Sequence, residues 1–184
     1  MKKILSLAFL LMLSLSIFAQ RQVTKFLGIP VDGSRTAMIQ KLKAKGFRYN
    51  SYVKGLEGKF NGTNVLIYVQ TNKNKVWRII VTYKDSYDEE QIKAHYNLLI
   101  NQFSNNPRYK VLDAEELTDK DDIVYEVSFH KKQYQAVFCQ LPDDENIEKR
   151  LVWCTIREDL NKFQKYIIGI YYENKYNEPN GDDL

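Results

Sequence analysis

The sequence predicts an α+β fold: two tandem helix-plus-antiparallel-meander units, with the helices packed on one face of a curved antiparallel sheet. Three observations carry this. Two segments, beginning at Ser34 and Ser86, pair a capping residue with apolar residues at helical spacing. The stretches after each of them alternate apolar and polar residues over short runs. The connections between those runs are a few residues long, which suits antiparallel neighbours and is too short for parallel crossovers.

The first unit opens on Phe26-Leu27-Gly28-Ile29-Pro30-Val31, which is apolar and cannot be helical through Pro30. It reads as an extended lead-in that covers a core edge. Asp32-Gly33 turns, Ser34 caps, and Met38, Ile39 and Leu42 line one helix face up to Gly46, the expected left-handed residue after the helix. Phe47 then folds back as its hydrophobic follower. Strands are predicted over Phe47–Lys54, Leu56–Asn61, Val65–Val69 and Val76–Tyr83, with a tight turn at Asn61-Gly62. Strict alternation puts Trp77 with Ile79, Val81 and Tyr83 on one face, and Arg78 with Thr82 on the other.

The second unit begins with a predicted capping box, Ser86-Tyr87-Asp88-Glu89. Ile92, Tyr96, Leu99 and Phe103 follow on one helix face, and Asn105-Asn106-Pro107 stops it. Strands are predicted at Tyr109–Leu112, Ile123–His130, Tyr134–Leu141, Leu151–Ile156 and Tyr166–Tyr172. Residues 115–122 form an acidic loop, and the polar tail from Asn174 reads as loosely ordered. The predicted organisation is a leader over residues 1–19, a first helix-and-four-strand unit over 20–85, a second with four or five strands over 86–174, and a tail over 175–184.

Lys2 and Lys3, the apolar run Ile4–Ile17 and the small residues ending at Ala19 have the form of a cleavable export signal cut before Gln20. The run is too short to span a bilayer, and no cysteine near the cut offers a lipid attachment point. The expected location is the periplasm or the exterior. Cleavage leaves 184 − 19 = 165 residues, with 27 − 2 = 25 basic against 23 acidic side chains, near +2. Such a balance, without basic runs interleaved with aromatics, speaks against nucleic-acid binding.

The chemistry-bearing residues form no recognisable constellation. His95 falls beside the apolar stripe of the second helix, and His130 beside Lys131 and Lys132. Neither forms a motif with Ser128 or Cys139. No spacing of ligands fits zinc or calcium, and no glycine run cradles phosphate, so no catalytic residue, metal or cofactor is expected. Cys139 and Cys154 lie in neighbouring predicted strands. They are either a disulfide or two buried thiols.

Tyrosine is the unusual component, at 13 of 184 residues. Aromatic residues in strands either fill a core or line an exposed sheet face for a partner. Trp77, Trp153 and Tyr171 are the candidates for the second role. Tyr171 points opposite to Tyr166, Ile168, Ile170 and Tyr172, so it is exposed if that set is core. The expected function is a non-enzymatic binding module for an envelope or extracellular protein or peptide. A carbohydrate-binding module is the alternative, and an enzyme the third.

The FLGIPVDGS stretch with its K-L-x-x-K-G-F helix end, the last strand IIGIYYENKYN and the terminal GDDL resemble a group of uncharacterised exported proteins of Bacteroidota bacteria. The resemblance implies export and carries no catalytic motif. The tandem helix-plus-four-strand plan is similar to the beta-lactamase-inhibitor-protein-like fold, which implies a curved sheet with a concave binding surface.

Overall fold

The protein is described over residues 21–181 by a computed structural model. The expected leader lies outside these residues. A two-strand hairpin, β1 (Lys25–Phe26) and β2 (Ile29–Pro30), leads into helix α1 (Arg35–Ala44). Strands β3 (Arg48–Asn50), β4 (Gly55–Phe60), β5 (Thr63–Asn72) and β6 (Lys75–Tyr83) follow, then helix α2 (Glu89–Ser104). The rest is β7 (Tyr109–Asp113), a π-helical turn (Val124–Phe129), β8 (Gln135–Gln140), a 3-10 turn (Ile147–Lys149), β9 (Arg150–Glu158) and β10 (Tyr166–Asn174). Strands β3 to β10 form one eight-stranded antiparallel sheet in the order β3-β4-β5-β6-β10-β9-β8-β7. The last strand after each helix therefore meets its counterpart at the centre, through Ile170↔Val81 and its neighbours.

Both helices bury their apolar stripes against the same face of this sheet. Met38 and Leu42 of α1, and Ile92, Tyr96, Leu99, Ile100 and Phe103 of α2, join one core with Ile67, Val81, Ile156 and Ile170. The lead-in closes the core's lower edge as expected: Phe26 and Val31 are fully buried, and the Phe26 ring packs on Tyr172 at 4.8 Å and Phe60 at 5.3 Å. Ser34 accepts from the Ala37 amide, and Gly46 takes φ +96° just beyond α1. Phe47 then lies on the β4 backbone. A Cβ on Gly58 would stand 2.6 Å from Phe47 Cδ1, inside any carbon–carbon contact. Gly58→Ala is expected to lower stability by about 1–3 kcal/mol, since the buried ring has to shift. An unchanged urea midpoint would show that Phe47 is not held there.

Four expectations are corrected. The alternating run Ile123–His130 is not a strand; residues 124–129 form a π-helical turn. Its apolar residues satisfy two periods at once. Helical spacing buries Ile123 and Val127 and leaves Tyr125 and Phe129 half to mostly exposed, where a strand would bury all four. Asp122 tips the balance, because its side chain accepts from the Tyr125 amide at 2.8 Å and Glu89 accepts from the Ile123 amide at 2.8 Å. With this run helical, each helix is followed by four strands of the sheet.

The second helix is capped by Asp88 rather than Ser86. Asp88 Oδ1 accepts from the Gln91 amide at 3.0 Å, and Gln91 reaches back to the Asp88 amide, so the capping box is shifted by two residues. The strand expected over Phe47–Lys54 ends at Asn50, whose side chain accepts from the Tyr52 amide and starts a turn. The tail, whose residues 182–184 lie outside the described ones, is tied down at Asn177, whose Nδ2 donates to Val76 O and Asp32 Oδ1. Asn174 Nδ2 likewise donates to Val31 O. Composition marks these residues as polar, but their amides are hydrogen-bonding the lead-in and β6.

No described helix is long and apolar enough to cross a membrane.

Candidate functional site

Neither helix covers the second face of the sheet. Strand alternation and register decide what lies there. Tyr68 on β5, Ile80 on β6, Tyr171 on β10, Trp153 on β9 and Val137 on β8 are successive cross-strand partners, forming one row across the middle of the face. Four of the five are half-buried, although no helix lies over them. The adjacent row is Gln70, Arg78, Glu173, Leu151 and Cys139. Aromatic rings and an ionic cluster thus lie side by side at the sheet centre.

Trp153 and Tyr171 stack with ring centroids 3.8 Å apart and planes 5° from parallel. Gly169 makes room for this: a Cβ there would stand 3.1 Å from Tyr171 Cε2. The Tyr171 hydroxyl accepts from Arg157 Nη1 at 3.3 Å. Tyr171 does point away from the core, but it is only 7% exposed, because its neighbours on the open face cover it. Its expected exposure is therefore corrected: facing outward on a strand does not expose a ring that lies flat against a stacked partner.

Trp77 joins the open face by a different device. Gln70 pairs with Arg78 and Thr71 with Val76, so Trp77 is the extra residue of a β-bulge. Val76 takes the buried place, and the Trp77 ring receives the Arg78 guanidinium at 3.9 Å. The alternation that put Trp77 with Ile79 fails at this one position.

One charged residue that the sequence did not single out, Glu173, organises the cluster. Glu173 is 1% exposed. It binds Arg78 Nη2 at 2.5 Å and Lys175 Nζ at 3.0 Å, and it accepts from Trp153 Nε1 at 2.8 Å. Arg78 also stands 5.5 Å from the Tyr171 ring and 6.0 Å from the Trp153 ring. Burial works to lower the Lys175 ammonium pKa, but hydrogen bonds to Glu178 and Glu173 outweigh it and hold the pKa above the usual lysine range. Parity along β6 and β10 places Arg78 and Glu173 on one face; only the β6–β10 register puts them opposite each other.

Cys139 and Cys154 are free and fully buried. Cys154 pairs with Ala136 and Cys139 with Leu151, so the two lie three residues apart in register and on opposite faces of the sheet. That parity forbids a bridge. Burial pushes the Cys154 thiol up to about 12 and the Cys139 thiol up as well, so both stay protonated at neutral pH.

Among the described residues neither histidine is hydrogen-bonded to a serine or a cysteine. His95 packs on Tyr87 at 4.1 Å, and His130 is half-exposed beside Glu126. Ser128 Oγ meets Tyr166 Oη at 3.2 Å and Glu158 at 3.4 Å, with neither histidine. Among the described residues no group of three His, Cys, Asp or Glu side chains could hold a metal ion. The acidic run at 143–145 is structural in part. Asp144 accepts at 2.8 Å from Arg150, which is 1% exposed and also bonds Gln140 O and Pro142 O. The Arg150 guanidinium holds the Asp144 carboxyl below its ordinary pKa.

A cleft of about 840 Å³ opens on the other, helix-bearing side. Its floor is Phe60 and Tyr172. Its walls are the β1–β2 hairpin, the end of α2 and the loop after β8. Burial pushes the Tyr172 phenol well above its usual pKa, and nearby Tyr109 adds to this.

Comparison with protein-family models, with curated proteins and with solved structures returns no match to this chain.

Proposed function

We propose that this chain is a non-enzymatic, exported binding module that holds a protein or peptide partner on the open face of its sheet. The observation that carries the reading is the central row Tyr68–Ile80–Tyr171–Trp153–Val137, over which no described helix lies, flanked by Trp77 and the Arg78–Glu173 pair. Aromatic residues and arginine are the side chains that dominate binding energy in protein interfaces. Here they are preorganised by stacking and by a buried carboxylate, which reduces the ordering cost of association. Trp153 and Tyr171 cover one another's ring faces, so they are not spaced as separate platforms for sugar rings. This favours a protein or peptide over a carbohydrate. The groups pushed furthest from their ordinary pKa values are phenols and thiols kept neutral by burial, which suits a packed scaffold better than acid–base work.

The architecture supports the same reading. The order α1 then β3–β6, and α2 then β7–β10, fits two units over residues 20–85 and 86–174 related about the β6–β10 pair. This is the plan expected of a beta-lactamase-inhibitor-protein-like fold, with both helices behind the sheet and the front left for a partner. The leader-like residues 1–19 and the likeness to exported Bacteroidota proteins support a periplasmic or external site of action. The reading is tested by photo-crosslinking from the open face against the helix side in the cell that makes the protein.

A further inference from the structure

We propose that the helix-side cleft is a second binding site, independent of the open face, and that it takes an anionic amphiphile of the fatty-carboxylate class. The polar groups around it fall into two sets. The amides are already engaged with the fold. Asn61 Nδ2 donates to Gln102 Oε1 at 2.5 Å and ties the β4–β5 turn to α2. Gln140 accepts from the Lys25 amide at 2.7 Å and donates to Lys25 O at 2.6 Å, which pins the β1–β2 hairpin to β8. The charged side chains are not engaged in this way. Lys25, Lys59 and Arg108 line the cleft, and no carboxylate does. None of the three is in an ion pair among the described residues.

Arg108 is also pre-aimed. Its Nε donates to Asn106 Oδ1 at 3.2 Å, which leaves both terminal nitrogens for a planar anion, the geometry that a carboxylate matches in bidentate fashion. Beside these polar groups the cleft has an apolar part, floored by Phe60 and Tyr172 and walled by Leu99 and Phe103. Arg108, with no carboxylate in the lining to offset it, attracts anions to the cleft, and Lys25 and Lys59, next in their strands to the inward-facing Phe26 and Phe60, add to the positive field from the outer side. A volume of about 840 Å³ lies within the usual range for small-molecule sites. The chemistry that satisfies both halves is one negative head on an apolar tail.

The test is calorimetric titration of the full mature chain with dodecanoate below its micelle concentration. Dodecyltrimethylammonium and dodecanol serve as matched tails with cationic and neutral heads. Vesicles of an anionic phospholipid separate a free carboxylate from a membrane surface. Saturable one-to-one binding of dodecanoate, absent for the cationic head, is expected. Arg108→Glu and Arg108→Gln should each weaken it by about tenfold or more, while Ile80→Glu on the open face leaves it unchanged. Circular dichroism identifies any variant that has not folded, and the milder Gln change then carries the result. Equal affinity for the three heads, no saturable binding, insensitivity to both Arg108 changes, or association with vesicles alone would overturn the proposal. Because Ile80→Glu reports on the opposite face, loss of one site is distinguishable from loss of the other.

Discussion

Glu173→Ala is expected to cost about 3–5 kcal/mol of folding stability, the largest loss from any single change on the sheet's open face. The carboxylate is 1% exposed and receives Arg78, Lys175 and Trp153 Nε1 together. Removing it leaves the Arg78 guanidinium and the Lys175 ammonium facing each other without the charge between them. Arg78 already carries one buried nitrogen, Nε, with no hydrogen-bond partner among the described residues. Glu173→Gln keeps an acceptor for Trp153 and so should recover part of the loss. In an Arg78→Ala background the Glu173→Ala penalty should shrink markedly, because one of the orphaned cations is gone. Urea denaturation of the four variants measures the coupling. Additive losses would show that Glu173 is not the centre of the cluster.

Trp153→Ala is expected to raise the partner's Kd by about 30-fold or more, a loss of roughly 2 kcal/mol, while leaving the fold intact. Trp153 is half-buried and lies outside the helix-side core, so its removal opens no core cavity. The change removes the stack with Tyr171, worth about 0.5–1.5 kcal/mol, and the hydrogen bond to Glu173. The Tyr171 ring would then be uncovered on one side and free to leave its flat seat over Gly169. The open face thus loses both an anchor and the rigidity of its neighbour. Phe at 153 should restore part of the binding by restoring the stack without the indole N–H. Unchanged affinity in the alanine variant would move the working surface elsewhere.

Much of the fold is legible in the residues. Ser34, Gly46 and the Met38–Leu42 pair define α1, and the Ile92–Phe103 spacing defines α2, because caps and apolar periods are local signals. Ile123–Phe129 is misread because apolar residues at every second position include every fourth. The deciding factors are the Asp122 turn and the Glu89 contact with Ile123, one local and one 34 residues away. The candidate site is half legible. Trp153 and Tyr171 follow from alternation, and Trp77 lands on the same face only through a bulge that alternation excludes. Glu173 is invisible as an organising group until β10 is paired with β6, since its partner Arg78 lies 95 positions earlier (173 − 78). Register between the two halves is set by the whole sheet, not by either strand.

The claim that the open face is the working surface is tested most directly by site-specific photo-crosslinking in the cell that makes the protein. One variant carries a benzophenone side chain at Gln70, exposed in the row beside Tyr68 and Ile80, and another at Leu98, 55% exposed on α2. A discrete adduct of the same mass from Gln70 in repeated preparations, absent at Leu98 and lost when Trp153→Ala is combined with it, is the expected result. An adduct from Leu98 with none from Gln70 would contradict the account.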